Sequence, residues 1–207
     1  MNPQDNVPIP HDIDTKDPQA VAAVMNDVLC RLGFSQSVPL LGQILADVVQ
    51  LFAGKWPGYQ AIDMAYHDLE HTLEVTVCAL KMIQGNARAS HPLDLTRLDC
   101  ETLLAATMLH DSGFLKPSYD RLGTGAKYTL IHERLSSTFA WTYLMNLSVP
   151  LDEIRDVTSA IRCTGPGDRI TPARFARPVT RTIAAMLVTA DYLGQMASAS
   201  YVSKLPF

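Results

Sequence analysis

Residues 103–111 read Leu-Leu-Ala-Ala-Thr-Met-Leu-His-Asp, and the arrangement of the whole chain depends on this stretch. Its first seven residues are apolar nearly all round a helix, a pattern typical of a central, buried helix. His110 and Asp111 therefore end a buried segment. Burying an unpaired carboxylate is costly relative to the small net stability of a fold, and a cation at this position would remove that cost. A plain helix C-terminus, with His110 favoured by the helix dipole, remains the alternative.

Helical periodicity recurs on both sides of this stretch, whereas strand signals are almost absent. The pattern predicts an all-α, compact single-domain bundle of six or seven helices over residues 17–207, preceded by an N-terminal arm at 1–16. The predicted helices span about 17–33, 40–52, 67–83, 98–110, 128–146, 151–163 and 179 onward. Two long loops, 112–127 and 164–178, are expected to shape any substrate site.

Composition narrows the function classes. The chain has 207 residues, a formal net charge of −4 and 47% hydrophobic residues, so one well-filled domain is expected, with neither nucleic-acid nor membrane binding. No apolar run approaches the roughly 20 residues of a membrane-spanning helix. The four cysteines are widely spaced, which favours reduced, mostly buried thiols and a cytoplasmic location. Homo-oligomerisation is left open.

Two further sites carry residues suited to metal binding. His67 and His71 are four residues apart in Tyr-His-Asp-Leu-Glu-His (66–71), so a helix through both would place them on one face. Asp191 lies within an apolar run and needs a partner. Two surface histidines, or a structural hydrogen-bonding role for Asp191, are the plainer alternatives. Together with His110 and Asp111, the set could bind a divalent metal and activate water.

The motifs Y-H-D-L-E-H-T-L-E-V (66–75), L-L-A-A-T-M-L-H-D-S-G (103–113) and A-D-Y-L-G (190–194) occur here in one order. This order resembles that of the HD superfamily of metal-dependent phosphohydrolases, over residues from about 59 to 196. The resemblance implies a metal site formed by His71, His110, Asp111 and Asp191. The first motif also resembles that of cyclic nucleotide phosphodiesterases, which implies that His67 is a general acid.

Departures from the family refine this expectation. The stretch 161–164, where some relatives carry further histidines, has none, and Phe114 stands where many relatives have lysine. These differences favour a single tightly held metal, or a second metal held mostly by waters. The metal could be Mn, Mg, Fe, Ni, Co or Zn, since mixed nitrogen and oxygen ligands do not select among them. A di-iron oxygenase, which would need more histidines, is disfavoured.

The expected function is hydrolysis of a small phosphoester, such as a nucleotide or cyclic nucleotide, by metal-activated water, with Asp111 also orienting that water. A regulatory module that binds metal without turnover is the alternative. Three residues are candidates for substrate binding. His132 matches a family position near the substrate, Lys116 follows the metal motif, and Arg162 begins an arginine-rich stretch that extends to residue 181. A solvated basic loop would explain that stretch equally well.

Overall fold

The helix that carries residues 103–109 is the fourth of seven α-helices found in the described part of the chain. The structure is a computed structural model, and it describes residues 9–10, 13–165 and 175–198. The helices are α1 Pro18–Arg31, α2 Val38–Phe52, α3 Leu69–Arg88, α4 Arg97–Leu109, α5 His132–Asn146, α6 Leu151–Ile161 and α7 Pro178–Ala197. Within those residues there is no strand, so the all-α bundle is confirmed.

The central position of α4 is also confirmed. Every residue from Asp99 to Leu109 is buried, and α4 packs against α2, α3, α5, α6 and α7. Its start is fixed by a capping box, in which Thr96 and Asp99 each bond the other's backbone amide. The fully enclosed helix therefore delivers His110 and Asp111 to the interior of the bundle.

Helices α3 and α7 form the other two walls around this interior and pack closely against each other. Gly194 permits the approach, because a Cβ atom there would lie only 3.2 Å from the backbone nitrogen of Val75. The first turn of α3 and the middle of α7 consequently face the end of α4. This arrangement brings three separate parts of the sequence to one place.

Several helix boundaries differ from the prediction, and helix α3 ends at Arg88, five residues later than expected. Helix α3 begins at Leu69 because the side chain of Asp68 caps it, accepting a hydrogen bond of 2.9 Å from the amide of His71. His67 thus precedes the helix, and the expectation that His67 and His71 share a helical face is wrong. Helix α5 begins at His132, four residues later than expected, after a 3₁₀ turn at Gly125–Tyr128.

The remaining predictions on organisation have mixed outcomes. All four cysteines are free, as expected, but only Cys100 and Cys163 are buried. Most of the predicted N-terminal arm lies outside the described residues. One part of it, Ile9, is buried and donates its amide to Gln84 of α3 at 3.0 Å. None of the helices in the described ranges is both long and apolar enough to cross a membrane.

Candidate metal centre

Four side chains that are distant in sequence meet where α3, α4 and α7 converge. The Nε2 atom of His71 lies 3.5 Å from Oδ2 of Asp111 and 3.1 Å from Oδ1 of Asp191. The Nε2 atom of His110 lies 3.5 Å and 3.7 Å from the same two oxygens. We call these four residues the His/Asp cluster. The structure therefore brings together all four residues predicted to ligate the metal.

These spacings approach those of a metal coordination sphere, and the ligand atoms that all lie within 4.8 Å of one another form two groups of three, His71, His110 and Asp191, and His67, His71 and Asp111. Bonds from nitrogen or carboxylate oxygen to zinc are about 2.0–2.2 Å long, so neighbouring ligand atoms around one ion lie roughly 3.0–3.6 Å apart. The four distances in the cluster, 3.1 to 3.7 Å, lie close to that range. His71, His110 and Asp111 are almost completely buried, and Asp191 is 22% exposed, which leaves one side of the cluster open.

The orientation of both imidazoles supports the same interpretation. The Nδ1–H of His110 donates to the carbonyl oxygen of Thr107 at 2.7 Å, and Nδ1 of His71 is 2.9 Å from the hydroxyl of Tyr66. In a metal-binding histidine, a hydrogen bond at Nδ1 of this kind leaves the lone pair of Nε2 free for the metal. Neither Nε2 atom makes a hydrogen bond within the described residues, although both are buried. Both Nε2 atoms face the carboxylate oxygens, and a cation between them would complete the arrangement.

Charge coupling within the cluster is strong. Burial disfavours the charged form of His110, but the carboxylates of Asp111 and Asp191 outweigh it and raise the pKa of His110 to about 9. Burial would raise the pKa values of both aspartates, yet the neighbouring histidines hold them well below their usual range. Both carboxylates therefore remain anionic near neutral pH. A divalent metal would displace the proton of His110 and supply the positive charge instead.

His67 lies beside the cluster rather than within the four-residue set. Its Nδ1 atom is 2.9 Å from Oδ2 of Asp111, and its side chain is 31% exposed. Burial lowers the pKa of His67, and the negative charge of Asp111 raises it. The net effect is a raised pKa. A carboxylate oxygen has two lone pairs, so Oδ2 can face a cation and still accept from His67. His67, His71 and Asp111 also form a second group of potential ligands, so the assignment of His67 as an acid stays a prediction.

An aromatic side chain links His67 to His132. Phe114 stacks on both rings, with centroids 4.4 Å apart in each case, and the two histidine rings are 6.2 Å from each other. His132 is buried, and its Nδ1–H donates to the carbonyl of Thr129 at 2.8 Å. His132 thus contacts the same ring as His67, and its role as a substrate-contacting residue stays a prediction.

The other two residues predicted to bind substrate, Lys116 and Arg162, do not share the surroundings of His132. Lys116 is buried, and its ammonium contacts Oδ2 of Asp63 at 2.9 Å and the carbonyl of Gly123 at 2.6 Å. These contacts give Lys116 a structural role in closing loop 112–127, and they leave fewer donors for a phosphate. Arg162 is exposed just after α6. Residues 166–174, which include Arg169 and Arg174 of the basic stretch, lie outside the described residues.

Sequence reasoning missed the residues that orient the ligands. Tyr66 and the carbonyl of Thr107 fix the imidazoles, and Asp68 fixes the start of α3. The signal for Asp68 was present, because an aspartate directly before the first apolar residue of a helical run is typical of an N-cap. Phe114 carried no signal except its departure from the family pattern.

Comparisons with known proteins leave the site to be interpreted from its own geometry. A scan against protein-family models finds no match, and neither a search of curated proteins nor one of solved structures finds a matching protein.

Proposed function

We propose that the protein is a metal-dependent phosphohydrolase that cleaves a small phosphoester. The observation that carries this proposal is the His/Asp cluster, in which two buried imidazole nitrogens without hydrogen bonds face two anionic carboxylates. Two nitrogen and two oxygen donors suit a borderline or hard divalent ion, which leaves Mn, Mg, Fe, Ni, Co and Zn as candidates. His71, His110, Asp111 and Asp191 would hold it. When bound, such an ion supplies an activated water at neutral pH and neutralises charge on phosphoryl oxygens.

The residues around the cluster support a division of roles. Oδ2 of Asp111 is within hydrogen-bonding distance of Nδ1 of His67, at 2.9 Å, which orients the imidazole. Nε2 of His67, which is not engaged with Asp111, is available to give a proton to the departing oxygen of a substrate. Phe114 holds the ring of His67 by stacking against it. His132, on the other contact of Phe114, is placed to contact the substrate.

The substrate class follows from the sequence resemblance rather than from a bound ligand. A nucleotide or cyclic nucleotide is proposed, acted on by a cytoplasmic enzyme. The open side of the cluster, at Asp191 and His67, is where the phosphoryl group would approach.

The test is elemental analysis of the purified protein combined with a phosphate-release screen over nucleotides and cyclic nucleotides, with a generic phosphodiester as an added substrate. About one metal ion per chain and turnover that Asp111→Ala abolishes are expected. Full turnover by the metal-free Asp111→Ala variant would overturn the proposal. Bound metal without turnover on any substrate would instead identify the regulatory alternative, and two irons with oxygen consumption would identify an oxygenase.

A further inference from the structure

A second cavity lies on the opposite side of the segment that follows Asp111. It measures about 550 Å³ and is enclosed by α2, the loop at 56–59, residues 112–117 and α5. That volume is within the range of small-molecule sites, roughly 300–1,000 Å³. None of the four residues of the His/Asp cluster lines it, nor does His67. The cavity is therefore a separate feature whose ligand the metal chemistry does not explain.

Six aromatic residues line this cavity, and four of them pack against one another. Phe139 and Tyr143, one turn apart on α5, are nearly parallel, with an angle of 9° between their planes and centroids 5.8 Å apart. The ring plane of Tyr59 makes an angle of 88° with that of Phe139, and their centroids are 5.6 Å apart. The ring plane of Trp56 makes an angle of 66° with that of Tyr143, and their centroids are 5.8 Å apart. Two rings therefore form a wall, and one ring projects from it at each end. We call this arrangement the aromatic box.

The side chains that line the cavity carry one charge, and Lys127, whose ammonium lies 5.2 Å from the ring centroid of the lining residue Tyr128, is paired with Asp120. Asp47 is the only charged side chain among its lining residues in the described part of the chain, which include no lysine, arginine or histidine. The hydroxyl of Tyr143 donates to Oδ2 of Asp47 at 2.8 Å, which fixes the carboxylate at the edge of the box. Burial, followed by the hydrogen bond to Asp47, raises the pKa of Tyr143, so this phenol stays protonated and keeps donating. The box therefore combines π-faces with a negative charge held in place.

We propose that the aromatic box binds a small organic cation that carries an alkylated ammonium group. Aromatic faces attract such cations through the ring quadrupole, and an ammonium bearing alkyl groups is weakly hydrated enough to enter an apolar cavity. A carboxylate at the rim adds charge complementarity. An anionic ligand would meet Asp47 without a compensating cation, and a neutral apolar ligand would gain nothing from the charge. The observations thus select a cation over both.

The test compares two probes of nearly equal shape by calorimetry at constant ionic strength. The probes are choline and its neutral carbon analogue, in which a carbon atom replaces the nitrogen. Choline is expected to bind at least about tenfold more tightly than the analogue, since cation–π attraction in a partly desolvated site is worth about 1–2 kcal/mol. Equal affinity for the two probes, or no detectable choline binding, would overturn the proposal.

Two variants and one control separate the contributions. Asp47→Asn keeps an acceptor for Tyr143 and should reduce choline affinity while leaving the analogue unchanged. Phe139→Leu keeps the apolar volume and should reduce the preference for choline about fivefold. Trp141→Leu changes an aromatic residue on the same helix that does not line the cavity and should alter neither affinity. If Trp141→Leu reduced the preference for choline as much as Phe139→Leu does, the assignment of the choline site to the aromatic box would be contradicted. The metal proposal and this one can fail separately, because the probes do not require turnover.

Discussion

The His/Asp cluster and a second buried acidic cluster solve the same electrostatic problem in different ways. In the second cluster, Arg177 contacts Asp99 at 3.2 Å and Asp156 at 2.6 Å, and the hydroxyl of Thr180 donates to Asp156 at 2.7 Å. The chain thus supplies its own permanent cation there. In the His/Asp cluster the only basic groups are imidazoles, which can lose their protons. The two buried carboxylates of the His/Asp cluster have only titratable imidazoles as partners. Such a pair is suited to binding an exchangeable cation.

The largest expected effect comes from removing a carboxylate of the His/Asp cluster. Asp111→Ala should lose the bound metal and lower turnover by at least about 10⁴-fold, since one ligand and the partner of His67 both disappear. Elemental analysis and phosphate release measure the two losses. Asp156→Asn, in the cluster that Arg177 closes, should keep its metal. Metal loss in Asp156→Asn as well would show that the two clusters do not differ as described.

Removing the proposed acid should have the next largest effect. His67→Gln is expected to lower turnover about 10²–10³-fold while metal content stays near that of the unaltered protein, because His67 lies beside the four ligands. His91→Gln provides the control, since His91 is exposed on the loop after α3. If His67→Gln instead loses the metal, His67 belongs to the ligand set with His71 and Asp111.

Removing Arg177 from its cluster with Asp99 and Asp156 should lower the stability of the fold without affecting metal binding. Arg177→Met leaves Asp99 and Asp156 buried without their cation, and the free energy of unfolding should fall by about 2 kcal/mol, a value reduced from the usual buried-pair cost because Arg177 is 38% exposed. Denaturant unfolding of the metal-loaded protein measures this. Metal stoichiometry should not change. An unchanged unfolding free energy would contradict the stabilising role given to Arg177.

The smallest effect is expected from a residue that orients a ligand. Tyr66→Phe removes the hydroxyl at Nδ1 of His71 and should weaken metal affinity about tenfold, as is typical for such contacts. Competition with a chromogenic chelator measures the affinity. Tyr192→Phe, next to Asp191 but exposed, is the matched control and should leave affinity unchanged.

The helical architecture could be predicted because its signals are local, whereas the grouping of the four cluster residues was predicted from the resemblance of the motif order to a known family. The apolar surface of α4 predicted its burial, and the family order of motifs paired its end with His71 and Asp191. The position of His67 could not be predicted from spacing alone, because the N-cap at Asp68 ends the helix before reaching it. The capture of Lys116 by Asp63 depends on a contact between residues 53 positions apart, which no local pattern encodes. The aromatic box joins the loop at 56–59 to α5 in the same non-local way.

Gly113 has a consequence for how fast and how selectively an ion would be taken up. A Cβ atom at this position would lie 2.1 Å from the carbonyl oxygen of His132, and the amide of Gly113 donates to Ser136 at 2.8 Å. The backbone directly after Asp111 is therefore locked onto α5 before any ion arrives. Little conformational entropy is then lost on binding, so uptake should depend on how readily the ion sheds water. A rigid set of donors also discriminates by ionic radius, because it cannot expand or contract to suit a poorly matched ion.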